Sequence, residues 1–267
     1  MSYRKAFLTL VGLLSFGMAA LAQRFEVGAH AGGSSYMGDL NQYNPVKISG
    51  IEAGAFVKLN FNPHLAVGLH YNYGKVKGND ASSNNEQFRQ RNLSFFTPLN
   101  EFSLLVDFNF FDMFAYNGRR RFTPFLFGGV GTVLFEPKAN YEGETYKLRL
   151  YYTEGQSKAY KNYTLTFPIG AGTKYKLNDS WTLFTQVGFR IPLTDYIDDV
   201  SDLYPDPNVW TRNQGLSRAL SDRSGEKTGI YIGEPGTQRG DFRKRDSYMF
   251  VGIGISYTFV SQKCFTF

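Results

Sequence analysis

The 267-residue sequence has few of the residues from which many metal sites and redox sites are built. It contains one cysteine, Cys264, and three histidines, His30, His64 and His70. A single cysteine excludes an internal disulfide framework and any zinc site with several cysteine ligands. Charged residues make up only 19% of the chain, against about a quarter in typical soluble domains. The composition therefore gives no support to a disulfide-stapled, zinc-binding or highly charged protein.

Long apolar runs are missing after the first 22 residues. At the start, Arg4 and Lys5 precede a continuous apolar stretch at 6–19, and Ala20 and Ala22 follow it in an A-x-A cleavage-site pattern. The stretch is shorter than the ~20 residues that a membrane helix needs, although an uncleaved anchor is the alternative. The sequence predicts a signal peptide at 1–22 and one mature domain at 23–267.

Aromatic residues and glycine, by contrast, are abundant. The chain has 25 phenylalanines, 18 tyrosines and 28 glycines, which argues against disorder because disordered chains lack aromatics. An exported, aromatic-rich chain without a membrane helix is expected to be either a soluble β-sandwich or an outer-membrane β-barrel.

Eight segments alternate apolar residues with polar or small ones, as β-strands with two different faces do. In one of them Phe102, Leu104 and Val106 share a face, and Ser103 and Asp107 share the other. The segment at 122–135 is apolar on both faces, which leaves its facing open. The predicted strands are 25–32, 49–61, 65–75, 101–110, 122–135, 165–177, 181–191 and 249–259.

The connections between these strands alternate in length. Short turns fall near 62–63, 116–118 and 178–180, whereas the long connections are 33–48, 77–92, 136–163 and 193–246. Short turns at one end and long loops at the other are typical of bacterial outer-membrane barrels. We predict an all-β fold: an eight-stranded antiparallel up-and-down transmembrane β-barrel with short periplasmic turns and long extracellular loops, in the outer membrane of a Gram-negative bacterium.

Eight strands enclose a space that side chains fill, so a general diffusion pore is not expected. The charged residues on the predicted inward faces have mixed signs, and they can neutralise one another as buried ions must. A path for protons or solutes is the alternative. The candidate lumen network comprises Glu52, Lys58, Glu101, Asp107, Lys174 and Arg190.

The two ends of the longest loop carry opposite charges, which we expect to pair when the loop closes. A hard cation such as calcium bound by the acidic end is the alternative, although the spacing matches no EF-hand. The candidate long-loop charge network comprises Asp195, Asp198, Asp199, Asp202, Arg239, Arg243 and Arg245.

Three consecutive arginines, Arg119, Arg120 and Arg121, lie beside the second predicted periplasmic turn. They are a candidate contact for an acidic periplasmic partner or for inner-leaflet phosphates. A turn that merely favours solubility is the alternative.

Catalysis is not expected. His30 and His70 are predicted to face the lumen, and neither lies in a serine motif of the G-x-S-x-G kind. We predict no catalytic residue, no cofactor and no resident metal. Nucleic acid is not expected as a partner of an exported chain.

Short segments along the whole mature chain carry a family resemblance: 27–28, 32–40, 91–95, 101–109, 123–125, 128–131, 135–139, 194–201, 238–240 and 246–248. In this order they resemble the PorG-like outer-membrane barrels of the Bacteroidetes type IX secretion system. The resemblance implies a non-enzymatic component of protein secretion that anchors or orients a periplasmic ring of lipoprotein and partner subunits, with outer-membrane lipids around it. An orphan barrel acting through its extracellular loops, in adhesion or envelope stability, is the alternative, and a lipid-modifying enzyme is a more distant one.

Overall fold

A computed structural model describes residues 25–42, 44–113, 120–210, 213–240 and 245–259. The predicted signal peptide lies outside the described residues, as do Cys264, Arg119 and Arg243.

Eight long strands form a closed antiparallel barrel, as the sequence predicts. Each long strand pairs with the next one along the chain, and the first pairs with the last, so that no long edge stays open. The long strands are β1 Phe25–Met37, β2 Ile48–Asn60, β3 Leu65–Asn79, β4 Ser94–Asn109, β5 Phe122–Phe135, β8 Tyr163–Lys176, β9 Trp181–Pro192 and β10 Ser247–Thr258. Between β5 and β8, the short strands β6 Lys138–Tyr141 and β7 Glu144–Lys147 form a hairpin.

The described helices are short and lie in the long connections. They are α1 Glu86–Arg91, α2 Gln214–Ser221 and α3 Gly225–Thr228, with 3₁₀ turns at Asp80–Ser82, Leu148–Leu150 and Pro207–Val209. At the start of α1, the Asn85 side chain accepts a hydrogen bond from the Gln87 amide, as expected of an N-cap residue. No helix in the described ranges is long and apolar enough to cross a membrane.

Three strands extend well beyond their predicted ends, and one connection is more ordered. β4 begins at Ser94 rather than at 101, β3 continues to Asn79 rather than stopping at 75, and β1 continues to Met37 rather than stopping at 32. The extensions keep their ladder pairs, with Asn79 opposite Ser94 and Met37 opposite Ser247. The connection at 136–163, predicted as a plain loop, contains the β6–β7 hairpin. In both cases a segment becomes a strand because it pairs with a neighbouring strand, and the residue pattern of a single segment does not reveal that pairing.

In strands such as β3 and β4, side chains alternate between the two surfaces of the barrel. In β4, Phe102 and Val106 are exposed on the outside, whereas Ser103 and Asp107 are buried inside. In β5, whose facing the sequence leaves open, the structure points Val130 outward and Phe125 inward. The outer surface is thus a belt of exposed apolar side chains, the arrangement that transmembrane barrels present to hydrocarbon.

At the loop end, the long connections fold over the barrel mouth and form a second core. We call the described parts of 38–47, 80–93, 136–162 and 193–246 the loop cap. Its apolar residues pack with the upper ends of the strands in one buried cluster, so the mouth is covered by packed protein. The cluster comprises Tyr36, Leu40, Val76, Leu93, Phe95, Leu99, Val133, Phe135, Ala139, Leu148, Ile197, Val200, Leu220, Tyr248 and Phe250.

Candidate functional site

The turn-side half of the lumen holds a three-residue ion cluster. Asp107 accepts hydrogen bonds from Lys58 at 2.6 Å and from Lys174 at 3.1 Å, and all three side chains are almost completely buried. Aromatic rings support the ammonium groups, with Lys58 4.1 Å from the Phe56 centroid and Lys174 4.5 Å from that of Phe125. One carboxylate therefore accepts hydrogen bonds from two cations that point inward from different strands.

The cap-side half of the lumen is organised around Glu101. Its carboxylate accepts hydrogen bonds from the Tyr248 hydroxyl at 2.7 Å and from the Asn72 amide at 3.0 Å. Arg190 lies 3.4 Å from the same carboxylate and packs over the Phe250 ring at 4.5 Å. Each of these groups is buried and has a polar partner.

Between these two clusters, Glu52 lies beside a histidine rather than a lysine or arginine. His30 Nε2 is 3.4 Å from Glu52 Oε2 and 3.1 Å from Gln186 Nε2. His70 stacks on Phe56 with ring centroids 5.1 Å apart. The polar neighbours of His30 are thus a carboxylate and an amide.

Large side chains fill the remaining lumen. Leu105, Phe125 and Phe127 form a buried cluster, and Phe56 and Phe184 pack together at 5.5 Å between ring centroids. The sequence pattern predicts polar and small residues on the inward faces and misses these aromatic fillers. Together with the loop cap, they make the described barrel a packed body rather than an open channel.

In the loop cap, Arg239 is the central buried cation. It donates to Glu154 Oε1 at 2.8 Å and to the carbonyl oxygens of Asp199 and Ser221 at 2.7 and 3.1 Å. Its guanidinium also lies 3.8 Å from the Asp199 carboxylate. Arg239 therefore joins both ends of the longest loop to Glu154 in the preceding loop, a partner that the sequence pattern does not reveal.

A second buried arginine links the cap to the other loops. Arg91 makes two hydrogen bonds to the Asp80 carboxylate, at 2.7 and 2.9 Å. It also donates to the carbonyl oxygens of Arg239 at 2.6 Å and Asp39 at 3.0 Å. The two arginines thereby connect all four long connections.

Three carboxylates meet under the cap. Ligand oxygens of Asp39, Asp198 and Asp246 lie within 4.8 Å of one another, and all three residues are buried. The Tyr36 hydroxyl donates to Asp198, and burial followed by the neighbouring Asp246 and Asp39 raises the pKa of Asp198. These oxygens could hold a hard cation, but Asp198 and Asp246 already accept backbone hydrogen bonds at 2.9 Å.

The expected pairing between the two ends of the longest loop is only partly present. Asp199 lies beside Arg239, whereas Asp198 bonds to Tyr36 and Asp195 accepts a hydrogen bond from the Ser201 hydroxyl at 2.9 Å. The Asp202 side chain is exposed, and its contribution is a backbone oxygen that accepts from the Arg239 amide at 3.1 Å. Arg245 is also exposed, and Arg243 lies outside the described residues. Asp195 and Asp198 thus accept hydrogen bonds from nearer donors, and Asp199 is the acid of this set that lies beside a described arginine.

At the turn end, Arg120 and Arg121 are exposed. The Arg120 guanidinium packs over the Phe111 ring at 4.8 Å, and neither arginine has an ion pair with a residue in the described ranges. Arg119 lies outside those ranges. This contrasts with the lumen and cap, where Lys58, Lys174 and Arg239 each lie beside a carboxylate.

The protonation state of Asp199 gives the cap a pH dependence. Burial raises the pKa of Asp199 from 3.8 to about 7, although Arg239 and the hydroxyls of Thr153 and Tyr160 act in the opposite direction. An acid with a higher pKa in the folded state holds its proton more tightly there. The contribution of Asp199 to the stability of the folded state is therefore complete below the ordinary pKa of 3.8, and it is lost as the pH rises through about 7.

We expect hydrogen-exchange protection of the loop cap, corrected for the intrinsic exchange rate, to fall several-fold between pH 5 and pH 8. In Asp199→Asn this fall should be smaller than in the wild type, because one of the titrating acids of the cap is gone. Asp202→Asn, which changes an exposed acid in the same loop, should keep the wild-type profile. Equal profiles for the wild type and Asp199→Asn would contradict this assignment.

The closed barrel, its apolar outer belt and its charged, filled interior together define the class: the fold is that of outer-membrane β-barrels. The family is visible in the sequence as well, because residues 4–211 match the family described as Domain of unknown function (DUF6089). The chain belongs to this family.

Comparison with curated proteins finds no match. Solved structures of similar fold include Neisserial surface protein A, with 9% identity, 88% of this chain and 97% of that chain covered, and a TM-score of 0.43. OprG from Pseudomonas aeruginosa has 11% identity, 90% and 97% coverage, and a TM-score of 0.40. The outer membrane enzyme PagL has 10% identity, 86% and 97% coverage, and a TM-score of 0.35. The barrel assignment rests on the strand pairing of this chain itself.

Proposed function

We propose that the protein is a non-enzymatic outer-membrane component of a protein-secretion system similar to type IX. In this role the barrel sits among outer-membrane lipids and anchors or orients periplasmic ring or lipoprotein subunits. The observation that carries the proposal is the filled and covered lumen. A barrel whose interior is packed with ion pairs and aromatic rings suits an anchor better than a conduit.

The free arginines at the turn end support the same role. Buried cations in the lumen and cap are matched by carboxylates, whereas Arg120 and Arg121 are exposed at the end assigned to the periplasm. An exposed basic pair attracts an acidic protein surface over several ångströms and favours its docking. The resemblance of the sequence to the PorG-like barrels names the kind of partner, a ring or lipoprotein subunit.

The test combines a deletion strain with charge reversal. Deletion should abolish export of type IX cargo, and the double variant Arg120→Glu, Arg121→Glu should reduce export several-fold at an unchanged amount of folded barrel. A photo-crosslinker at position 121 should capture a ring or lipoprotein subunit, identified by mass spectrometry.

The matched control reverses two exposed lysines on the loop cap, Lys158→Glu and Lys227→Glu. It changes the net charge equally but at the opposite end of the barrel, and export should stay normal. A deletion strain that exports its cargo at the wild-type rate would refute the secretion role.

A further inference from the structure

The loop cap contains a cavity that none of the roles described so far uses. It has a volume of about 220 Å³ and lies within the longest loop, with three prolines and the rings of Tyr204, Trp210 and Tyr231 among its walls. Tyr204 and Trp210 are buried, whereas Tyr231 is exposed. The cavity therefore has an apolar, aromatic floor and opens toward solvent on the Tyr231 side.

The walls are held in place by hydrogen bonds before any ligand arrives. The Trp210 indole donates to the Tyr152 carbonyl oxygen at 2.7 Å, and the Tyr204 amide donates to the Thr237 carbonyl oxygen at 2.9 Å. Asp222 accepts hydrogen bonds from the Ser224 amide at 3.0 Å and the Gly233 amide at 2.9 Å. A rigid wall loses little conformational freedom on binding, which favours affinity.

Glycine allows the outermost ring to approach closely. A Cβ atom added at Gly225 would stand 2.6 Å from the Tyr231 ring. The Tyr231 ring thus rests on the backbone of α3, while 57% of the residue stays exposed. An aromatic ring fixed on one side and open on the other is a stacking platform.

Two polar groups among the walls lack partners. The hydroxyl oxygens of Tyr204 and Ser221 are buried without a hydrogen-bond partner among the described residues, although buried hydroxyls are nearly always hydrogen-bonded. Burial raises the pKa of Tyr204 to about 12, so its hydroxyl keeps its proton. Arg218 and Glu234 add one donor group and one acceptor group at the exposed rim.

From this combination we infer that the cavity binds a neutral saccharide residue of about hexose size. A sugar ring offers an apolar C–H face to an aromatic platform and hydroxyl groups to donors and acceptors of both kinds. The volume is below the ~300–1,000 Å³ of drug-sized pockets and suits a single ring. The lining carries Arg218 against Glu234 and Asp222, so it lacks the excess of positive charge that an anionic ligand would select. The inference is independent of the secretion role, which concerns the opposite end of the barrel.

Saturation-transfer NMR on the full barrel in detergent micelles provides the test. The probes are the methyl glycosides of glucose, galactose, mannose and N-acetylglucosamine, with N-acetyl-prolinamide as a peptide-like comparison. At least one glycoside should receive saturation, and Tyr231→Ala should weaken its binding about tenfold, as expected for the loss of one aromatic contact. Glu234→Gln should also weaken it.

Two further variants separate loss of the site from loss of structure. Tyr231→Leu keeps an apolar side chain but removes the ring, and it should resemble Tyr231→Ala. Leu150→Ala changes an exposed apolar residue elsewhere on the cap and should bind as the wild type does. Saturation of no glycoside, saturation of N-acetyl-prolinamide alone, or binding that survives both Tyr231 variants would each overturn the inference.

Discussion

Replacing Arg239 by methionine should open the loop cap while leaving the eight-stranded barrel closed. The substitution leaves the carboxyl groups of Glu154 and Asp199 in a buried site without their cation, and breaking a buried pair in this way costs about 3–5 kcal/mol. Hydrogen-exchange protection of the cap should fall about a hundredfold or more. Trypsin should then cut within the longest loop of the variant under conditions in which the wild type resists.

Arg245→Met is the matched control, because Arg245 comes from the same end of that loop but is exposed. Exposed charges contribute little to stability, so its cap should stay as protected as that of the wild type. Equal protection in Arg239→Met and Arg245→Met would mean that the buried pairs do not hold the cap together. The heat-modifiable gel mobility of a folded barrel should persist in both variants.

A change at Asp107 should destabilise the barrel itself. In Asp107→Asn, the ammonium groups of Lys58 and Lys174 keep their positions but lose the carboxylate between them. Two buried cations then face a neutral amide, and the free energy of unfolding in urea should fall by about 3–5 kcal/mol.

Two comparisons make this prediction specific. The triple variant Asp107→Asn, Lys58→Met, Lys174→Met removes the uncompensated charges and should regain most of the lost stability. Asp179→Asn breaks the pair with Lys176, in which the aspartate side chain is 90% exposed, and should change the free energy of unfolding by less than about 1 kcal/mol. A loss below 1 kcal/mol in Asp107→Asn would contradict the central role of the lumen cluster.

The barrel was predictable because each strand can be recognised from the pattern of its own residues. A strand has a side-chain period of two, so the sequence alone places Ser103 and Asp107 on one face of the strand and Phe102 and Val106 on the other. The same rule gives no answer where both faces are apolar, and it left the facing of 122–135 open until the strand pairing was known.

Partner choice inside the lumen and cap was not predictable in the same way. Asp107 meets Lys58 and Lys174 through the tilt and register of strands that are far apart in sequence, which residue spacing does not encode. Arg239 reaches Glu154 across 85 positions and two intervening strands, and Glu154 has no periodic neighbours that would mark it. The aromatic walls of the cap cavity were missed for the same reason, because irregular loops bring them together.

The seam between β1 and β10 sets an order of assembly. It joins residues as distant as Glu26 and Thr258, so the ring of strands closes only when the most distant parts of the described chain have met. Until then two strand edges are unpaired and open to pairing with other chains, and contacts this remote form slowly. Because the buried arginines need loops from several hairpins side by side, we expect the cap to fold last. This final step should be completed only in a correctly closed barrel.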